Sequence, residues 1–321
     1  MAYTIEDVRK NAQILGRIPA DEVKRLKGQG FLQDKNTGDH FNARIPIPGG
    51  ILDQQLAGAL TQAAARYGNG SFAMTTRLSV EIQGIAYENI EPLKEFLAAY
   101  GLYNGGTGPK VRPVVACKGA TCHYGLINSY QICRQMHERF YVGYHDVKLP
   151  HKFKIAVGGC PNNCVKPDLN DVGVIGQRVP HYDPSLCRNC KVCSVAKECP
   201  IHAAVKEGDV ISYDAERCSH CGRCVGKCPF HVNDSFTDGF RIYVGGRWGK
   251  EAARGQFLPG FYTSLDEVLD TVEKCILFFK ESGKAGERFA QTIDRLGMQT
   301  LEKAISGPDL LDRKSQIIEN N

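Results

Sequence analysis

The stretch FKIAVGGCPNNC, residues 153–164, joins an apolar strand pattern directly to a pair of cysteines. VRPVVACKGATC, residues 111–122, has the same form. The two stretches supply four thiols, Cys117, Cys122, Cys160 and Cys164. Four soft ligands on two loops suit an iron–sulfur cluster or zinc. Four buried structural cysteines are the alternative, which we disfavour because pairs at ligand spacing are rare by accident.

A denser cysteine region follows. Its two runs are Cys187-x2-Cys190-x2-Cys193-x5-Cys199-Pro and Cys218-x2-Cys221-x2-Cys224-x3-Cys228-Pro. The second run has the bacterial ferredoxin spacing, in which the fourth cysteine ligates the other cluster. We therefore predict one [4Fe-4S] cluster on Cys187, Cys190, Cys193 and Cys228, and another on Cys218, Cys221, Cys224 and Cys199. The x5 spacing of the first run predicts a small bulge, and the repeated pattern disfavours zinc.

Composition limits the class of protein. The chain has 321 residues, enough for about two domains, and a formal net charge of +5 that is too dispersed for a nucleic-acid face. It has no apolar run of membrane-spanning length and no secretory signal, so we expect a soluble cytoplasmic protein without a membrane partner. In a reducing compartment, fourteen cysteines favour metal binding over disulfides.

The order of patterns predicts an α+β fold with an insertion. Residues 1–36 contain two short helical patterns, TIEDVRKNAQIL and ADEVKRLKG, and residues 37–105 have the order βαββα of half a ferredoxin-like sandwich. Residues 106–180 and 236–321 form a second α+β domain. Residues 181–235 form a ferredoxin domain inserted into it.

One helical pattern, CHYGLINSYQICRQMHERFY, follows the first cysteine pair. We predict a helix that starts at Cys122 and points its free N–H groups at an anionic cluster. Cys133 and Cys275 lie in apolar helical patterns and are predicted core residues. His220, inside the second ferredoxin run, is not predicted to be a ligand.

Four basic residues accompany the cysteine motifs. Arg77 lies between two strand patterns, Arg112 precedes Cys117 by five residues, and Lys152 and Lys154 alternate along an extended segment, so they share one face. Their convergence near a cluster would suit a small oxyanion or a polyanionic cofactor. Solvated surface charges are the alternative for each residue taken singly.

These motifs together resemble a known family. RIPIPGG and YGNGSFAMTTRLSVEIQGI, followed by the two cysteine pairs and DVGVIG, are similar to the sirohaem-dependent sulfite and nitrite reductases. The inserted ferredoxin and VGGRWGK resemble the ferredoxin-containing branch, which includes the C subunit of anaerobic sulfite reductase and the dissimilatory-type subunits. The resemblance covers about residues 40–290.

The resemblance implies sirohaem beside a [4Fe-4S] cluster on the first four cysteines, with Cys164 bridging cluster and haem iron, and three [4Fe-4S] clusters in all. It assigns anion binding and catalysis to Arg77, Arg112, Lys152 and Lys154. Sirohaem carries eight carboxylates, so further cations are expected to bind it: Arg44, Arg247, Lys250 and Arg254. The implied reaction is the six-electron reduction of sulfite to sulfide.

Several alternatives stay open. Nitrite reduction to ammonia on the same scaffold is the close second alternative, since no residue separates the two anions. An electron-transfer subunit without a substrate, or a tetrapyrrole-binding protein, would use the same cysteines. The family usually has Cys-x5-Cys where this chain has Cys-x4-Cys, Cys117 to Cys122, so fine substrate preference does not carry over.

The resemblance also bears on partners. Larger relatives resemble two tandem copies of the βαββα half, whereas this chain shows one, so we predict a homodimer or pairing with a related subunit. No GxGxxG follows a strand pattern. Electrons are therefore expected from a ferredoxin or a partner subunit.

Overall fold

The computed structural model of the protein describes residues 18–319. The pattern TIEDVRKNAQIL lies outside these residues, whereas the second predicted helix is confirmed as α1, Ala20–Gly28. Within residues 18–319, no helix combines the length and apolar character needed to cross a membrane.

The half-domain is an antiparallel sheet covered by two helices. Its strands, in the order β1-β2-β4-β3 across the sheet, are β1 Phe31–Gln33, β2 His40–Pro46, β3 Phe72–Met74 and β4 Ser79–Ala86. The helices are α2 Gln54–Tyr67 and α3 Ile90–Ala98. The order βαββα is confirmed. Strand β1, which pairs with β2, was not predicted because three residues are too few to show an alternating pattern.

Local sequence explains where helix α2 begins and ends. The carboxylate of Asp53 accepts a hydrogen bond from the N–H of Leu56, which caps the first turn. Gly68 ends the helix, and its N–H donates to the carbonyl of Ala64. The alanine-rich face, including Ala59 and Ala63, is buried against the sheet.

The second domain is built on a five-stranded mixed sheet. Its order is β11-β10-β7-β6-β5, with β5 Val115–Ala116, β6 Ile155–Gly158, β7 Val172–Pro180, β10 Phe236–Val244 and β11 Gln256–Phe257. β5, β6 and β7 are parallel, so their starts lie at one edge of the sheet and their ends at the other. Phe153, Phe279 and Phe289 pack together in the core beneath the sheet.

Helices cover this sheet: α4 Ser129–Met136, α6 Leu265–Ser282, α7 Phe289–Leu296, α8 Met298–Ser306, α9 Asp309–Asp312 and α10 Lys314–Glu319. A π-helix, His137–Val142, continues α4. The pattern ERFAQTIDRLGMQTLEKAI predicts one helix, but the structure divides it into α7 and α8. Gly297 breaks it because its φ of 89° is incompatible with a right-handed helix.

The prediction that a helix starts at Cys122 was wrong. A short 3₁₀ turn, Gly119–Thr121, precedes this cysteine, and α4 starts only at Ser129. The side chain of Asn128 accepts a hydrogen bond from the N–H of Gln131 and so fixes the later start. The free N–H groups of α4 therefore lie some distance along the chain from the cysteine pair.

Residues 181–235 connect β7 to β10, which pair from Phe236 opposite Pro180 to Val244 opposite Val172. The segment therefore leaves and rejoins the sheet at one point. It contains a helix, α5 Ser194–Glu198, and a hairpin of β8 Ala204–Glu207 and β9 Val210–Tyr213. The segment has a small core of its own around Val195, Ile211 and Val232. The bulge predicted from the x5 spacing takes the form of helix α5.

Candidate functional site

The first cysteine set (Cys117, Cys122, Cys160 and Cys164) lies where β5 and β6 end. Gly119 and Gly159 let the two cysteine loops touch, because a Cβ added at Gly119 would lie 2.8 Å from the Cα of Gly159. The N–H of Gly159 donates to the Sγ of Cys117 at 3.0 Å. The chain thus brings both cysteine pairs to one edge of the sheet.

The four thiols of this set lie close enough to interact electrostatically. Burial raises the pKa of Cys160, and the neighbouring sulfurs of Cys117, Cys122 and Cys164 raise it further. Cys164 itself is exposed. Mutual repulsion of this kind is relieved when an iron core takes the place of the protons.

The eight remaining ligand candidates divide into two sets. The inner set lines a small cavity of about 20 Å³ and consists of Cys199, Cys218, Cys221 and Cys224. The outer set lines a second small cavity of about 20 Å³ and consists of Cys187, Cys190, Cys193 and Cys228. These are the two groupings that the sequence predicts. In each set, the first three cysteines of one run are joined by the last cysteine of the other run.

Backbone strain marks the cysteine loops. Seven non-glycine residues among the described ones have positive φ, and six of them follow a cysteine by two or three positions: Asn163, Lys166, Asn189, His202, His220 and His231. A left-handed residue in such a turn directs successive N–H groups into one concavity, which suits a bulky anion. His220 has this role and also contacts Gln177, with 3.3 Å between Nδ1 and Oε1, so it is not placed as a ligand.

Of these two sets, the inner set lies nearer to the first cysteine set. The backbone N–H of Arg178 in β7 donates to the carbonyl of His220, which fixes the inner loop to the central sheet. A cavity of about 320 Å³ between them is lined by both Cys160 and Cys221, with Tyr124 and Arg223 at its side. The order in space is therefore outer set, inner set, first set.

The four predicted basic residues also converge, at the other edge of the sheet. Arg77 donates through Nη1 to the carbonyl of Pro113 at 3.0 Å and through Nη2 to Oδ1 of Asn170 at 2.6 Å. Both acceptors lie just before parallel strands. Burial, together with the charges of Arg112 and Arg288, lowers the pKa of Arg77 to about 10. The next residue, Leu78, has a φ of 49°, so the backbone is strained directly beside this arginine.

Arg112 and the two lysines complete the group. Burial and the nearby charge of Arg44 lower the pKa of Arg112 to about 10, and its Nε is buried with no partner in the described part of the chain. Phe153 points into the core, so Lys152 and Lys154 point to the opposite face, as predicted. Burial and the charges of Arg77, Arg288 and Lys152 lower the pKa of Lys154 to about 8.

Sequence reasoning missed a fifth basic residue. Arg288, at the start of α7, is almost completely buried and donates through Nη2 to both carboxylate oxygens of Asp171, at 2.9 and 2.8 Å. The same carboxylate accepts the backbone N–H of Lys154 at 2.9 Å. No motif signals Arg288, because it comes from a distant helix. We call Arg77, Arg112, Lys152, Lys154 and Arg288 the basic patch.

The basic patch and the first cysteine set lie at opposite ends of the same strands. Arg112 precedes Cys117 by five positions and Lys154 precedes Cys160 by six, which corresponds to roughly 16 and 20 Å along extended chain. The expected convergence of the four cations is found, but not beside the first cysteine set of the same chain.

The further sirohaem-binding candidates have mixed surroundings. Arg44 forms an ion pair with Glu81 at 2.6 Å, and Arg247 forms one with Glu251 at 2.5 Å. The charge of Arg44 nevertheless lowers the pKa of Arg112 in the basic patch, and the charge of Arg247 lowers the pKa of His151 beside the patch. Arg254 contacts Asp168 at 2.5 Å and is mostly exposed. Lys250 is exposed in the loop after β10.

Cys133 and Cys275 are core residues, as predicted, and both are completely buried. Burial raises the pKa of Cys133 to about 11 and that of Cys275 to about 12, so both thiols stay protonated.

Comparison with known families agrees with this architecture. The nitrite and sulphite reductase 4Fe-4S domain matches residues 107–310, and the nitrite/sulfite reductase ferredoxin-like half domain matches residues 33–100. The chain belongs to the nitrite and sulphite reductase family. The resemblance found in the sequence is thereby confirmed.

Individual relatives show which members of the family are similar. The chain is 30% identical to the coenzyme F420-dependent sulfite reductase of Methanocaldococcus jannaschii, over 84% of this chain but only 42% of that protein. It is 30% identical to the C subunit of the anaerobic sulfite reductase of Salmonella typhimurium, over 62% of each chain. The fold matches a crystal structure of dissimilatory sulfite reductase I with a TM-score of 0.68, at 20% identity, over 95% of this chain and 87% of that one.

Proposed function

We propose that this protein is a sirohaem-dependent sulfite reductase with three [4Fe-4S] clusters. The observation that carries the proposal is the basic patch, in which five cations meet at one edge of the sheet with Asp171 as the carboxylate among them. A buried cation without a matching negative charge is costly, so the site favours an anionic ligand.

The cysteine geometry supports clusters over zinc at all three sets. Tetrahedral zinc holds its sulfurs about 2.3 Å from one point. In residues 18–319, no three His, Cys, Asp or Glu side chains converge closely enough to hold a single metal ion. The four cysteines of the inner set instead line one shared cavity, and so do the four of the outer set, as ligands around a multi-atom inorganic core would. The description of the matched domain, a 4Fe-4S domain, agrees with this assignment for the first set.

The residues at the basic patch also fit sirohaem. Its eight carboxylates require many donors, and Arg112 presents a buried Nε with no partner among the described residues. Arg247 acts electrostatically on His151 and Lys152 at the edge of the patch. When bound, sirohaem supplies an iron that exchanges electrons and binds the anion.

The side chains of this chain then have separate tasks. Sulfite takes six electrons and six protons, and its three oxygens leave as three waters. Arg77, held by two acceptors, is fixed in place and provides positive charge where oxide leaves. Lys154 is the best proton donor of the patch, because its pKa of about 8 lies close to neutral pH.

A complete site requires two chains. The basic patch and the first cysteine set are at opposite ends of the strands, so a haem linked to Cys164 of one copy would face the basic patch of another. A two-fold dimer would form two such sites, and the single half-domain of this chain would gain its missing counterpart. This agrees with the predicted homodimer, and pairing with a related subunit would serve equally.

Electrons would enter at the outer set, which lies furthest from the first set. Exposed Val192, at 72% accessibility, stands beside Lys191 and near Arg188 on this surface. An apolar residue rimmed by cations suits an acidic electron donor such as a ferredoxin. The path from the outer set then passes the inner set and the cavity shared by Cys221 and Cys160.

The proposal is tested by the purified, reconstituted protein. We expect the optical bands of sirohaem, iron and sulfide contents that correspond to three cubanes, and reduction of sulfite to sulfide with a reduced viologen. Clusters without sirohaem would favour an electron-transfer subunit. Sirohaem without turnover of either anion would favour a tetrapyrrole-binding protein.

Nitrite is the second candidate substrate, because the basic patch recognises negative charge and the matched family includes both reductases. Kinetics with both anions under the same donor separates the two. Turnover of nitrite without turnover of sulfite would contradict our first choice.

A further inference from the structure

One tyrosine hydroxyl points at a sulfur of the inner set. Tyr182 follows β7, and its Oη donates to the Sγ of Cys224 at 3.3 Å. The ring stacks on Tyr213 with 5.2 Å between ring centroids and 25° between the planes, so its position is fixed. Cys224 is buried, and water does not compete effectively for this hydrogen bond.

The inner set receives other hydrogen bonds as well. The N–H groups of Ala203 and Ala204 donate to the Sγ of Cys199 at 3.2 and 3.4 Å. With Tyr182, two of the four inner sulfurs accept three hydrogen bonds from identified donors.

The outer set differs. The Sγ of Cys187 lies 3.7 Å from the carbonyl oxygen of Asp209, which is an acceptor and gives a thiolate no stabilisation. Among the contacts of the described residues, no side-chain hydroxyl donates to an outer sulfur. Lys206 is near, but its Nζ donates to the carbonyl of Cys190 at 3.2 Å and is exposed to solvent. In the described part of the chain, the protein therefore donates more hydrogen bonds to the sulfurs of the inner set than to those of the outer set.

We propose that the hydroxyl of Tyr182 raises the reduction potential of the inner cluster above that of the outer cluster, so that electrons pass inward. This inference rests on the proposed function, since it requires that both sets hold [4Fe-4S] clusters. Reduction adds one negative charge to a cluster, and a hydrogen bond to a ligating sulfur stabilises that charge. Tyr182 keeps its proton and its bonds throughout, and one electron moves from the outer cluster to the inner one.

A higher potential of the inner cluster would direct electrons towards the first cysteine set. The inner set shares a cavity with Cys160, and the outer set does not. An inner cluster that is easier to reduce draws each electron away from the donor surface and towards the first set. Tyr182 contacts no substrate, so it is a tuning residue rather than a catalytic one.

The test is a redox titration of the complete protein, followed by electron paramagnetic resonance. Tyr182→Phe keeps the stacked ring and removes only the hydroxyl. Tyr213→Phe is the matched control, because it makes the same chemical change on the stacked partner. Cys190→Ser, which alters the outer cluster, and Cys164→Ser, which alters the cluster of the first set, together identify the remaining titration wave as that of the inner cluster.

We expect Tyr182→Phe to lower the potential of the inner wave alone. The ratio of reduced to oxidised inner cluster at a fixed potential should fall about tenfold, which is about 59 mV for one electron. Tyr213→Phe should leave both waves in place. An unchanged inner wave, or an equal shift in both variants, would overturn the inference while leaving the clusters themselves established. Failure to assemble cubanes in the wild-type protein would instead contradict the proposed function.

Discussion

Arg288 of the basic patch forms a buried ion pair with Asp171, with 2.8 Å between Nη2 and Oδ2. The two residues are 6% and 0% exposed and connect α7 to the start of β7. Asp171 also accepts the backbone N–H of Lys154, so the pair holds a basic residue of the site in place.

Breaking this pair is expected to destabilise the fold. Arg288→Met leaves a buried carboxylate without its partner, which costs about 3–5 kcal/mol. Arg313→Met, which removes a partly exposed ion pair with Glu281, should cost less than about 1 kcal/mol. Urea unfolding of both variants measures the difference, and equal losses would mean that the buried pair has no special role.

The pH dependence of anion binding should follow Lys154. The pKa of this lysine is about 8, so it carries its charge below pH 8 and loses it above. Binding of an anion above pH 8 must take up a proton, and the Kd should therefore rise by up to about tenfold per pH unit. Nitrite is the suitable probe, since it keeps one negative charge over this range.

Two variants check this assignment. Lys154→Arg keeps the charge at high pH and should remove the inflection near pH 8. Lys154→Gln should bind nitrite weakly at every pH. An inflection that persists in both variants would place the titrating group elsewhere.

Two inactive variants should restore each other if the site is shared between copies. Lys154→Ala damages the basic patch, and Cys164→Ser damages the first cysteine set. Random mixing gives half mixed dimers, each with one complete site, so activity should recover to about a quarter of the wild-type value. Co-expression of the two variants followed by a turnover assay on the unselected mixture measures it, and no recovery would place both halves of the site in one chain.

Cysteine replacement separates ligand candidates from core residues. Cys164 is exposed, so Cys164→Ser should cost little stability yet lose activity and change the iron content. Cys275 is completely buried, so Cys275→Ser should lower the melting temperature and keep the iron content. Iron and sulfide analysis beside thermal unfolding distinguishes the two, and equal activity in both variants would remove the special role of Cys164.

Electron entry at the outer set predicts a selective effect of charge reversal. Lys191→Glu should slow cluster reduction by an acidic ferredoxin and leave reduction by dithionite unchanged. Lys303→Glu, an exposed change on α8, is the matched control. Stopped-flow reduction at two salt concentrations measures both variants, and an effect of the same size in the control would mean that net charge alone is responsible.

The spacing of the cysteines in the sequence was enough to predict which of them group together in the ferredoxin-like segment. The order Cys-x2-Cys-x2-Cys predicts that three thiols approach one another, because a short loop limits their separation. The structure groups the inner and outer sets with the fourth cysteine exchanged, as the spacing predicts. The strand patterns of residues 37–105 were also sufficient, since their alternation is local.

Other features depend on distant parts of the chain. The prediction of a helix that starts at Cys122 was wrong because Asn128 caps a helix that starts later. Hydrophobic periodicity does not reveal such a cap. Arg288 was missed because its partner Asp171 is 117 residues away. Tyr182 lies outside every cysteine motif, and only folding brings its hydroxyl to Cys224.

The sequence by itself determined the family, and it predicts thiolate ligands grouped in fours, because both depend on residue identity and short spacing. The tertiary structure decided where the groups lie relative to one another. Arg112 and Cys117 are close in sequence, but a parallel strand between them carries one to each edge of the sheet. This separation follows from the rise of an extended chain. A complete site would therefore lie at the contact between two copies.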